Sequence, residues 1–409
     1  VYEQAGVMEY HDSERAKELE ARAREFVDEV VIPAEREQLG QGPPSDDLIE
    51  ELRAEARERG IYCPQIDEEW GGMGEEFRDV LPLFEQAGRS LLGAAAMRVD
   101  APDEGNMHTF ELVGSQRQKE EWLKPLVAGE IRSGFSMTEP KAGAGSDPKM
   151  LKTTAEKDGD EWVVNGHKWW TTQGSLADVL IVMAVTDPDA HPYQGASMIL
   201  VPSDADGVEI KRDIPHLGPD MDGQGHAEIV YDDVRVPEEN LLGAENAGFA
   251  IAQQRLGPAR LTHCMRFSGM AQRALEIAKA YIDDREAFGS KISEKQSLRY
   301  RIADAETRLH AARCMVRNAA EEISRGEQAR VPVSMSKVFT ANVCQEVIDL
   351  AVQACGGTGI SRDTPIADFY EAVRAFRIVD GADEVHNRVI ARDAFEDLDH
   401  SEVEHLTTF

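Results

Sequence analysis

The 409-residue chain is short of lysine, of aromatic side chains and of long apolar runs. Thirteen lysines stand beside 31 arginines, aromatics make up 6%, and 76 acidic residues against 44 basic ones leave a formal net charge of −32. A nucleic-acid binder needs a basic footprint, so this balance excludes that class, and anionic membrane surfaces would repel the chain. No stretch approaches the ~20 apolar residues of a membrane span, so membrane insertion is not expected. The five cysteines (Cys63, Cys264, Cys314, Cys344, Cys355) never form a Cys-x-x-Cys pair. They make neither a disulfide framework nor a zinc site, and no metal is expected; they read as thiols in a reducing compartment. Val1 to Glu14 lacks the basic and apolar blocks of a secretory signal. A cytoplasmic location is therefore expected. Neither Gly-x-Gly-x-x-Gly in a strand-helix setting nor a Walker A sequence occurs. Abundant carboxylates with few lysines fit a protein working in concentrated salt, where self-repulsion is screened. An ordinary acidic enzyme is the alternative.

What is present falls into three textures, giving expected domains over 1–133, 134–243 and 244–409. The first is helical, with Arg15–Val31 and Asp47–Arg59 rich in Glu, Ala, Arg and Leu. Ser115 is a plausible N-cap for a helix over Ser115–Leu126. The second is β. Trp162–Val164, Asn165-Gly166 and His167–Thr172 spell strand, type I′ turn, strand. Val179–Val185, Ala196–Val201, Val208–Lys211 and Ala227–Val236 follow as strands of a small barrel or sandwich. The third is helical again. Apolar residues step by four and three along Phe267–Tyr281, Leu298–Ile323 and Phe339–Ala354, the stripes of a helical bundle.

Phe135-Ser136-Met137-Thr138-Glu139-Pro140 with Gly143-Ala144-Gly145-Ser146-Asp147 reads as a ligand-lining loop, or simply as a turn. Of Trp169 and Trp170, adjacent on one strand, one is expected in the core and the other free to cover an aromatic ligand. These segments join Asn165-Gly166-x-Lys168-x-Trp170-x-Thr172, Val236-Pro237 with Asn240–Gly243, Gly248-Phe249, Arg285-x-x-Phe288-Gly289, Gln353-x-x-Gly356-Gly357-x-Gly359 and Asp380-Gly381. In that order, over residues 60 to 395, the chain resembles the acyl-CoA dehydrogenase family. The resemblance implies a mostly α fold with a helical N-terminal domain, a central β-barrel and a C-terminal four-helix bundle. It implies FAD as cofactor, an acyl-CoA substrate, an electron-transferring flavoprotein as partner, and a homotetramer.

Carried over residue by residue, Phe135, Thr138 and Ser146 would line the isoalloxazine, with Ser146 also at the mouth of the acyl pocket. Trp170, Thr171 and Thr172 would flank the ring's other side. Arg285 and Phe288, with Gln353, Gly356 and Gly357, would meet the FAD of a neighbouring subunit. Ala382 and Glu384 fall at further cofactor contacts, and Arg260 and Gly381 at substrate contacts. Asp380 is the carboxylate at either location the family uses for its base, since Leu256–Ala259 carries none. Arg377-x-x-Asp380-Gly381-x-Asp383-Glu384-Val385-His386 resembles one branch, fused in animals to a phosphotransferase-like domain; that likeness alone raises 4-hydroxylated acyl groups as substrates. Lys141 and Ala142 lengthen the Gly-Ser-Asp loop, and Ala382 replaces the usual Thr. The implied reaction is α,β-dehydrogenation, with Asp380 as a base whose pKa an acyl chain raises by burying it. A same-fold flavin or nitroalkane oxidase and a non-catalytic helical scaffold are the alternatives.

Overall fold

The computed structural model describes residues 11–218, 225–404 and 406. Helix α1, Glu14–Phe26, starts where the Ser13 hydroxyl accepts the Ala16 N–H. It continues as a π-helical turn, Val27–Val31, into Ile32–Gln38. Helix α2, Asp46–Glu58, is capped by Ser45 and carries Asp46 and Asp47 at its positive end. Helices α3, Phe77–Gly88, and α4, Asp103–Val113, complete the first unit's packing. Ser115 caps the next helical stretch as expected, in a reciprocal box with Gln118.

The strands are β1 Ser133–Ser136, β2 Thr154–Asp158, β3 Glu161–Thr172, β4 Val179–Val185, β5 Ala196–Pro202, β6 Val208–Asp213, β7 His226–Pro237 and β8 Leu241–Leu242. They pair in the order β6-β7-β3-β2-β4-β5-β8, with β1 parallel to β4. This path has two ends, so backbone pairing among the described residues does not close the expected barrel. Strand β4 reads Val-Leu-Ile-Val-Met-Ala-Val because both faces are buried. Val179, Ile181 and Met183 face the helical core, while Leu180, Val182 and Ala184 join the sheet's own.

The expected Asn165-Gly166 turn is not a turn. Strand β3 runs straight through it, and the hairpin lies at Gly159-Asp160, between paired Asp158 and Glu161. Asn165-Gly166 instead marks a register shift against β7, where Asn165 exchanges hydrogen bonds with Asp233. A methyl on Gly166 would sit 2.3 Å from the Thr153 hydroxyl, so close packing requires this glycine.

Helix α5, Gly248–Asp284, is followed by α6, Gln296–Ser324, α7, Arg330–Cys355, α8, Ile366–Phe376, and α9, Asp383–Ala394. The stripes read from sequence are the buried ones: Ala271, Ala274 and Ala278; Ala305, Leu309 and Val316; Val343, Val347 and Leu350. Gly88 on α3 and Gly269 on α5 let two backbones touch. An added methyl would lie 1.9 Å from the Arg266 carbonyl oxygen and 2.0 Å from that of Glu85. This contact locks the first helical unit onto the face of α5 that carries the site.

Candidate functional site

Asp380 lies in the short link between α8 and α9, where Asp380 and Gly381 adopt φ of +54° and +100°. That left-handed pair costs free energy for the non-glycine residue, and the surroundings hold it. The Asp380 carbonyl accepts from Arg260 Nε at 2.8 Å and from His386 Nε2 at 3.2 Å. The Gly381 carbonyl accepts from Lys337 Nζ at 2.7 Å. His386 is pushed down to about 4 by burial, then by Arg260 and Lys337, so it is neutral. With Nε2–H given to Asp380, its Nδ1 accepts from the Ser334 hydroxyl at 3.1 Å. Buried Asp383 accepts from Arg377 Nε at 2.7 Å and from Asn342 at 3.1 Å, closing the loop's far side.

The Asp380 carboxylate stands 3.6 Å from His263 Nδ1. Burial pushes the carboxyl up, but His263, which is charged in the acid range where Asp380 would take its proton, outweighs it together with Arg255, Arg260 and Lys337 and holds the group below the usual range. His263 itself is pushed down to about 4 by burial and by Arg266, so at neutral pH the three cations hold Asp380 ionised.

Sequence reasoning missed Glu104. It sits in the first turn of α4, where acidic residues usually only complement the helix dipole. Here it is buried, Oε2 has no hydrogen-bond partner, and burial pushes its pKa up to about 7 against the pull of Arg266 and Arg255. Arg266 attracts it without pairing and keeps its own Nε buried and unpartnered. Arg255, His263 and Arg266 share one stripe of α5, spaced eight and three residues apart. Chemically this face is cationic, with one ionised carboxylate and one carboxyl near neutrality.

Phe135 extends this face to the sheet, its ring 4.3 Å under the Arg255 guanidinium, which also donates to Asn106 at 3.1 Å. The ends of β1 and β3 are stitched together. Ser136 Oγ is 3.2 Å from Thr171 Oγ1, and the Thr138 carbonyl accepts the Trp169 N–H at 3.0 Å. A bulge between Lys168 and Thr171 turns Trp170 to φ +56° and leaves it 40% exposed. The two tryptophans therefore do not face opposite sides; their rings are 6.1 Å apart. Trp169 Nε1 and Gln173 Nε2 are buried without partners.

Behind this run lies a pair that sequence reading named only as motif letters. Lys168 Nζ, wholly buried, reaches Glu139 Oε1 at 3.0 Å and donates to the Met137 carbonyl at 2.9 Å. Glu139 also accepts the backbone N–H groups of Ala144, Lys152 and Thr153. One carboxylate thus pins both ends of the 138–153 loop. Ser146 lies in an exposed stretch of that loop, and Ala142, one of the two extra residues, takes φ +81°.

Phe135, Thr138, Trp170, Thr171 and Thr172 are brought together, and the Arg255 contact links them to Arg260, Asp380 and Gly381. The remaining residues are elsewhere. Cys264 meets Ser336 and Ser268 meets Cys344, so α5 and α7 run parallel and end at the same end of the bundle. That end carries Arg285, Phe288, Gln353, Gly356 and Gly357, all exposed, with Phe288 at 97%. Along α5 it lies roughly 36 Å from Arg260, at ~1.5 Å per residue. Ala382 caps α9, and Glu384 is exposed in its first turn.

Models of the acyl-CoA dehydrogenase N-terminal, middle and C-terminal domains match residues 13–130, 134–234 and 246–395. The chain is 42% identical over 397 residues to probable acyl-CoA dehydrogenase FadE2 of Mycobacterium tuberculosis, covering 94% of this chain and 96% of that one. It spans about half of some longer relatives, such as acyl-CoA dehydrogenase family member 11 of Gallus gallus, with 35% identity and 51% of that protein covered. A solved putative acyl-CoA dehydrogenase from Mycobacterium abscessus superposes with a TM-score of 0.87 at 40% identity, covering 94% and 98% of the two chains. PigA, solved with FAD and proline, superposes at 0.85 with 25% identity, covering 95% and 99%. The chain belongs to the acyl-CoA dehydrogenase family.

Proposed function

We propose that the protein is an FAD-dependent acyl-CoA dehydrogenase that converts an acyl-CoA to its trans-2-enoyl-CoA and passes the electrons to an electron-transferring flavoprotein. The carrying observation is Asp380: an ionised carboxylate held by three cations, on a residue whose backbone N–H has no hydrogen-bond partner among the described residues. That N–H is free to bind a thioester carbonyl oxygen, which acidifies the adjacent α-carbon. The carboxylate then takes the α-proton as general base. Arg260 and His386 fix the same loop by donating to the Asp380 carbonyl.

The residues fit FAD. An exposed tryptophan fixed by a bulge, the Thr171 and Thr172 hydroxyls and two orphaned N–H donors offer an aromatic face and polar edges to a flavin ring. When bound, FAD supplies the hydride acceptor and a second donor to the thioester carbonyl. Arg285, Phe288, Gln353 and the two glycines suit a phosphate and an adenine, but stand too far along α5 to serve their own chain's Asp380. They serve a neighbouring copy, within a homotetramer whose domains follow the three textures, the middle one as a barrel. The acid excess suits concentrated salt.

The unpaired Glu104 and Arg266 favour a finer reading, in which the acyl group carries a polar substituent such as a hydroxyl. Such a group would supply the partners both lack. The test is a panel of plain and hydroxylated acyl-CoAs with an artificial electron acceptor. Enoyl-CoA product supports dehydrogenation, a preference for hydroxylated chains supports the finer reading, and peroxide-forming turnover would favour the oxidase.

A further inference from the structure

His226 and His216 belong to no motif that the sequence reading used, yet they contact the run that carries Trp170 and Thr172. His226 opens β7 directly opposite Thr172, and its Nδ1 lies 3.0 Å from the Thr172 hydroxyl. The His226 ring is 4.5 Å from that of His216 and 5.5 Å from that of Trp170, which in turn meets His216 edge-on at 6.1 Å. The cluster is tied to backbone at both histidines. His216 Nδ1–H donates to the Ile214 carbonyl at 3.0 Å, and the Ile214 N–H donates to the His226 carbonyl at 2.9 Å. Three rings and a hydroxyl thus share one braced arrangement at the bulge.

Burial, then His216, pushes His226 down to about 4, so at neutral pH it is an uncharged imidazole. A hydroxyl bonded to a fixed imidazole nitrogen cannot rotate freely, and presents one defined polarity outward. Trp170, at φ +56°, departs from strand geometry within β3, and its ring rests among Trp169 and the two histidines.

From this geometry we infer that His226, braced by His216, is a positioning residue for the flavin seat: it fixes the direction of the Thr172 hydroxyl and the stance of Trp170. The inference rests on the proposal that the Trp170–Thr172 run flanks FAD. It goes beyond it in assigning the seat's rigidity to a histidine pair on β7 and the segment before it.

The experiment compares His226→Phe, His226→Asn, Thr172→Val and the His226→Phe/Thr172→Val double variant with the parent. The readouts are FAD dissociation constant, flavin absorption spectrum and, in flavin-free protein, tryptophan emission. His226→Phe keeps a flat ring but cannot bond, and should weaken FAD about tenfold, the scale of one hydrogen bond, while changing the emission. His226→Asn retains a polar group and should recover much of the loss. Thr172→Val should match His226→Phe, and the double variant should be no worse than either, because both act on one contact. His226→Phe with parental FAD affinity, spectrum and emission would overturn the inference while Thr172→Val still perturbs the flavin. If Thr172→Val also leaves the flavin untouched, the seat itself is misplaced and both readings fall. Should His226→Phe not fold, His226→Asn against Thr172→Val decides: an Asn variant weaker than Thr172→Val contradicts action through the hydroxyl.

Discussion

The two ends of the α5–α7 pair treat their polar groups in opposite ways. Around Asp380, carbonyls, carboxylates and cations meet inside one chain, through Arg260, Lys337, His386 and Asp383. At the other end Arg285 makes no ion pair or hydrogen bond with its side chain among the described residues, and Phe288 is almost wholly exposed. A large aromatic side chain left out in water beside an arginine is the kind of surface that the proposed second copy would cover. The difference teaches which half is self-contained: the groups around Asp380 are paired within the chain, whereas the Arg285 side chain is left to solvent, as the proposed completion by a second copy requires.

The largest expected effect lies at the buried pair behind the Trp170 run, which Phe135 and Arg255 join to the first region. Lys168→Met leaves the Glu139 carboxylate buried without its cation, which should cost about 3–5 kcal/mol. Denaturant unfolding measures it, and a loss under ~1 kcal/mol would mean that the backbone N–H groups alone hold the loop.

Glu104 gives the next effect, through pH. Its folded pKa, about 7, lies above the ordinary 4.5, so folding favours the protonated form. Its stabilising contribution is full below about pH 4.5 and is lost as pH rises through about 7, a term of roughly 3 kcal/mol. The parent should therefore lose stability between pH 5 and 8 by an amount that Glu104→Gln does not. Equal losses in both would show that Glu104 pairs with Arg266 in solution.

The smallest change in stability belongs to the second region. Arg285→Ala removes an exposed side chain, so chain stability should move by no more than ~0.5 kcal/mol. FAD retention and assembly should nonetheless fall together, read by flavin absorbance and sedimentation. Loss of FAD from an intact oligomer would place the whole site within one chain.

Periodicity made much of the fold legible. The α5, α6 and α7 stripes and the bounds of β4 are where the spacing puts them, because burial on a fixed face repeats with the element's own period. The Asn165-Gly166 turn was misread because the same two residues that make a tight turn also make a bulge. Only the close approach of Thr153 distinguishes the two. Asp380 was legible through its motif, but not the cations of α5 and α7 around it, which lie far off in sequence. Glu104 and His226 were invisible for the same reason: each looks ordinary until another element is packed against it.

The most direct test concerns Asp380, the group that both the loop geometry and the electrostatics single out. Parent and Asp380→Asn, each loaded with FAD, are mixed anaerobically with an acyl-CoA that the parent oxidises, and flavin bleaching is followed by stopped flow. Replacing the carboxylate by an amide keeps size and backbone, so the variant should bind FAD and acyl-CoA yet bleach at least ~10²-fold more slowly, the low end of general-base contributions. Bleaching at the parental rate would contradict the assignment of Asp380 as the base.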